Sequence, residues 1–106
     1  MNDAQAIHSV SIARGNIYIP RATYEAYFRT IEAVALLPHA DGILIYPLIN
    51  DSAGGSLLKI RNSNGDRLVH AQEFLRNHDF SDDFEKESIC VSWLTDKAAL
   101  LVNIEV

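Results

Sequence analysis

From Val10 to Ile19 the chain alternates apolar residues with small or polar ones, interrupted by Arg14-Gly15-Asn16. A period of two on both sides of a glycine predicts a β-hairpin. Pro20 cannot donate to a ladder but suits the first turn of a helix, and Tyr24, Tyr27, Phe28 and Ile31 then recur at helical spacing. A short amphipathic helix is expected there. "AVALLP" and "GILIYPL" are apolar runs of strand length around "HADG", where Gly42 is expected to supply a left-handed turn residue. A second hairpin therefore closes near Leu48.

The polar, glycine-bearing segment "INDSAGGS" reads as a connection, and beyond it the same order returns. "LLKIR" and "RLVH" flank Asn64-Gly65, a strong hairpin signal; "AQEFLRNH" carries Ala71, Phe74, Leu75 and His78 at helical spacing; "ICVSW" and "AALLVNI" flank "LTDK" as a last strand pair. Placing Gly15 over Gly65 sets Ile17 on Arg67, Ile19 on Val69 and Tyr24 on Phe74, which keeps the hydrophobic register. The expected fold is α+β, mostly antiparallel β: two tandem β-β-α-β-β repeats, at about 7–48 and 56–104, in one small barrel-like domain spanning residues 1–106. Tyr18, Tyr24, Tyr27, Phe28, Phe74 and Trp93 are the aromatic residues expected to fill its core, with Tyr18 in a phase that allows it to point outward.

Length and composition agree with such a domain. A chain of 106 residues, 48% hydrophobic and 22% charged, buries roughly 65% of its extended surface on folding and needs no covalent staples. Cys90, the single cysteine, excludes an internal disulfide and is expected to be a buried or half-buried structural thiol. The first residues lack a basic region followed by an apolar run, and no apolar stretch approaches the roughly 20 residues of a membrane span, so a soluble cytoplasmic protein is expected. Net charge is −5, and residues 1–76 carry seven acids and seven bases, so the whole excess lies in residues 77–106. Taken as a sum, that charge argues against a polyanionic partner.

The glycine turn, the strand ending in Ile19-Pro20, the helix with its aromatic register and the two following strands resemble the swapped-hairpin module of the AbrB/MraZ superfamily. Two copies in one chain resemble the MraZ arrangement. The resemblance implies a small closed barrel of intertwined hairpins and DNA binding by a transcriptional regulator or antitoxin. MraZ-like repeats carry an acid three residues before the glycine and an arginine just after it. Ile12 and Asn16 stand at those positions in the first half, and Asn62 and Asp66 in the second.

Candidate chemistry is sparse. Arg14, Arg21, Lys59, Arg61 and Arg67 lie near the two glycine turns and would neutralise phosphates if they shared a face. Asp79, Asp82, Asp83, Glu85 and Glu87 form an acidic run that lacks the glycine and alternating acids of a calcium loop, and read as a solvated loop or an electrostatic docking surface for a protein. His8, His39, His70 and His78 show no zinc-ligand spacing, and no nucleophile, base and oxyanion set assembles from named residues. No metal, no cofactor and no enzymatic activity are expected. The leading expectation is a non-catalytic interaction or accessory module that docks a protein partner. A DNA-binding regulator is the alternative, with duplex DNA disfavoured. Apolar residues on both phases of "VALLP" and "ILIYPL" favour a homodimer over a monomer.

Overall fold

The computed structural model describes residues 8–40, 42–49 and 55–104. Residues 50–54 of the expected connection, the first seven residues and Asp41 of the second hairpin turn lie outside the described residues.

β1 (Ser9–Ala13) and β2 (Asn16–Ile19) form the first hairpin, with Ala13 opposite Asn16. Arg14 and Gly15 take φ of 52° and 77°, the positive pair that a two-residue type I′ turn requires to match strand twist. Pro20, extended at φ −60°, leads directly into α1 (Arg21–Tyr27). β3 (Ala33–His39) and β4 (Gly42–Leu48) form the second hairpin. β5 (Ser56–Leu57) and β6 (Lys59–Ile60) follow, then β7 (Arg67–His70), α2 (Gln72–Asn77), β8 (Lys86–Leu94) and β9 (Ala99–Asn103).

All pairings are antiparallel, in the order β5-β3-β4-β9-β8-β1-β2-β7-β6. The first and last strands of that order are neighbours in the chain, separated only by Leu58, so the sheet wraps into a nearly closed barrel. Leu58 is the hinge of closure: its N–H donates to Glu32 O at 2.9 Å and its side chain enters the core.

One phase of each strand supplies that core. Val10, Ile12, Ile17, Ile19, Val34, Ile45, Val69, Leu100 and Val102 are wholly inaccessible. A narrow barrel favours β-branched aliphatic residues, whose stiff, compact side chains pack on a pleated surface. The expectation of an aromatic core is corrected accordingly. Among the six aromatics only Phe28 is fully buried, just past the end of α1; Tyr18, Tyr24, Tyr27 and Phe74 are half-buried. Trp93 is 36% exposed and stacks on Tyr27, ring centroids 5.7 Å apart and planes within 6°. The buried residue of α1 is Thr23, whose hydroxyl donates to Ser9 O at 2.8 Å and accepts from Ser9 N–H at 3.3 Å.

Two further expectations change. Cys90 is exposed, because Ile89 takes the inward phase of β8 and its neighbour must face out. Gly42 is not a positive-φ residue; a Cβ there would lie 2.0 Å from Val102 O. Its role is to let β4 approach β9, where it pairs with Asn103. The Asn64-Gly65 turn is wider than a two-residue hairpin: Arg61 N–H donates to Asp66 O at 2.8 Å, and the Asn62 side chain accepts from the N–H groups of Asn64 and Asp66.

Candidate functional site

Of the five basic residues named from sequence, Arg14 and Arg61 share one recess, and Lys59 and Arg67 share a groove. Arg14, at the first hairpin tip, and Arg61, entering the 62–65 loop, converge on Tyr18, which the outward phase of β2 presents. Their guanidinium carbons lie 5.9 Å and 4.3 Å from its ring centroid, within cation–π range. The Tyr18 hydroxyl accepts from Arg14 and from Asn16 Nδ2, both at 3.2 Å, and Asn16 Oδ1 meets His70 Nδ1 at 2.8 Å across the β2–β7 pair. The Asn16 hydrogen bond, reinforced by that of Arg14 and by the charges of Arg14 and Arg61, holds the Tyr18 phenol below its ordinary value against the opposing effect of burial. Glu85 and Glu87 line the same recess of about 290 Å³, so carboxylates accompany the arginines there.

Arg21 is occupied differently. Its Nε donates to Glu25 at 3.0 Å, one turn along α1, and its backbone N–H donates to Asp66 at 2.8 Å. Arg67 shares the phase of buried Val69 but stands at the start of β7, where its guanidinium lies 4.1 Å from the Tyr24 ring centroid and donates to Gly65 O at 2.7 Å. Lys59 lies on β6 and lines a groove with Arg67.

The residues of the acidic run have different neighbours. Asp82 accepts two hydrogen bonds from Arg76, at 2.8 Å and 3.1 Å, which hold its carboxyl below the ordinary carboxylate value. Asp83 accepts from the Ser81 hydroxyl, and Asp79, at φ 71°, ends α2 beside His39 and His78 in another recess. Glu85 and Glu87 line the recess that Arg14 and Arg61 share. Among the described residues no three His, Cys, Asp or Glu side chains converge as a metal site would require, and no helix is long and apolar enough to cross a membrane.

A groove lies between the segment after α1 and the strand that closes the barrel. Tyr24, Thr30, Ile31, Glu32, Leu57, Leu58, Lys59, Ile60 and Arg67 enclose about 510 Å³. Leu57 is 58% exposed and Ile60 72% exposed. Strict alternation would bury Ile60 with Leu58; the break between β5 and β6 turns it outward instead. Thr30 sits at φ 66°, a left-handed conformation that is costly for a β-branched residue and is retained only where the surroundings enforce it. Sequence reasoning did not single out Leu57, Ile60 or Thr30. The available signal was the Leu57-Leu58 doublet, since adjacent strand residues cannot both face a core.

No protein-family model matches the chain, and no curated protein and no solved structure matches it either.

Proposed function

We propose that the chain is a non-catalytic interaction module that docks a protein partner in the groove bounded by residues 30–32 and 57–60. The observation that carries this reading is the exposure of Leu57 and Ile60 on the lip of that groove, beside half-buried Ile31 and Tyr24. Exposed bulky apolar residues around a concavity are the usual anchor sites of protein interfaces. Thr30 adds to it, because backbone strain concentrates at functional positions. Affinity capture from native extract, with and without nuclease, compares the natural chain with a Leu57→Asp/Ile60→Asp variant. A nuclease-resistant protein retained by the first and lost by the second is the expected result. Nucleic acid captured equally by both would count against the reading.

The pairing pattern supports a second reading, the duplicated AbrB/MraZ-like barrel with its DNA-binding role. Under the Gly15–Gly65 equivalence, the pair Ile17–Val69 becomes Arg67–Ile19, which is itself a pair, and Tyr18–Leu68 maps onto itself. Exchanging β1 with β5–β6, β2 with β7, β3 with β8 and β4 with β9 likewise returns the same circular strand order. That is the pattern expected of two copies of one unit. It supports the duplication more than the DNA role: Arg21 is held by Glu25, and Arg14 and Arg61 share their recess with Glu85 and Glu87. Function follows sites rather than folds, so DNA binding ranks second. A homodimer would find an apolar contact at Leu37, 47% exposed on β3.

A further inference from the structure

We infer that the groove at residues 30–32 and 57–60 takes an acidic partner segment that carries a bulky apolar side chain; this inference rests on the docking role proposed above. Ile31, Leu57 and Ile60 supply the apolar contact, and the charges on the rim supply the selection. Lys59 and Arg67 stand on the side of the closing strand and β7, and Glu32 on the side of the segment after α1. Among the described residues the ion pairs join Arg21 to Glu25 and Arg76 to Asp82, and no described carboxylate pairs with Lys59 or Arg67. Arg67 is positioned for recognition: the Tyr24 ring under its guanidinium and the bond to Gly65 O fix the planar group, leaving its other N–H donors for an incoming carboxylate. A partner carboxylate placed near Glu32 would instead meet a like charge. The occupant therefore lies with its acid toward Lys59 and Arg67 and its apolar side chain between Leu57 and Ile60.

The selection is local. The chain carries −5 overall, so at low salt it repels an acidic peptide at long range, whereas near 0.15 M salt charges beyond about 8 Å are largely screened and the contact pair decides. The test uses two fluorescein-labelled peptides, Asp-Leu-Asp-Ile-Phe-Asp and Lys-Leu-Lys-Ile-Phe-Lys, titrated with the full chain by anisotropy at that salt. The acidic peptide should bind at least about tenfold more tightly than the basic one, with the difference removed by Lys59→Glu and reduced by Lys59→Ala. Ile60→Asp should abolish binding of both while circular dichroism shows the barrel intact. Equal binding of the two peptides, lost in Ile60→Asp, overturns the acidic class and leaves the docking groove standing. Binding of the acidic peptide that survives Ile60→Asp overturns both. Failure of both peptides to bind at millimolar concentration overturns the acidic class, and extract capture then tests docking separately.

Discussion

Replacing Phe28 by alanine removes a large, fully buried side chain from this barrel while leaving the backbone around it in place. The Phe28 N–H donates to Tyr24 O at 2.7 Å and its carbonyl accepts from Ile31 N–H at 2.8 Å; neither bond depends on the ring. The loss is therefore one of packing. Returning a buried phenylalanine to water costs about 1.5–3 kcal/mol, and the cavity left behind brings Phe→Ala substitutions to about 3–5 kcal/mol. A domain of this length has a total stability of roughly 5–15 kcal/mol, so the variant stays folded only if the natural protein lies above the low end. Urea denaturation followed by far-ultraviolet circular dichroism should show the midpoint fall with an unchanged slope, and the melting temperature should fall by at least about 12 °C. Phe28→Leu, which keeps most of the apolar volume, should lose much less. A Phe28→Ala loss below about 1 kcal/mol at constant slope would mean that the ring is not in the core, and the packing argument would fail.

Gly42→Ala should destabilise by about 1–3 kcal/mol, because its Cβ meets the Val102 carbonyl and must push β4 from β9; amide exchange should accelerate at residues 42–45 and 100–103. Thr30→Gly should raise stability by a few tenths to about 1 kcal/mol in the same urea assay, since relief of the left-handed β-branched conformation exceeds the added chain entropy. Asp66 accepts from Asn62 Nδ2 at 3.0 Å and from the Arg21 N–H at 2.8 Å, and these bonds hold its carboxyl below the ordinary 3.8. A carboxyl depressed by folding stabilises above its unfolded value and loses that contribution as pH falls through the folded one. Asp66→Asn should therefore flatten the stability profile below about pH 5, with no change in slope at neutral pH.

Where local chemistry decides structure, the sequence was legible. The Arg14-Gly15 turn, Pro20 at the entrance to α1, and the inward phase of Val10, Ile12, Ile17 and Ile19 follow from neighbours in the chain and appear as expected. What could not be read depends on residues far away. Gly42 is dictated by Val102, about sixty residues on, rather than by its own turn. Tyr24 and Trp93 have core spacing, yet Arg67 covers the first, and the second, in the inward phase near the end of β8, stacks on Tyr27 and stays 36% exposed. The run from Asp79 to Glu87 looks continuous in one dimension, but it leaves the end of α2 and enters β8, so its carboxylates face separate partners. The groove was hidden for the same reason: the break at Leu58 occurs because the closing strand divides its pairing between β3 and β7.

Hydrogen exchange of the chain alone and in complex with the partner that it captures tests the location of docking most directly. Slowed exchange confined to peptides covering residues 30–32 and 57–60, absent when Ile60→Asp replaces the natural chain, is the predicted result. Protection at residues 13–18 and 61–66 with the groove unchanged would contradict it and assign binding to the Arg14–Tyr18–Arg61 recess.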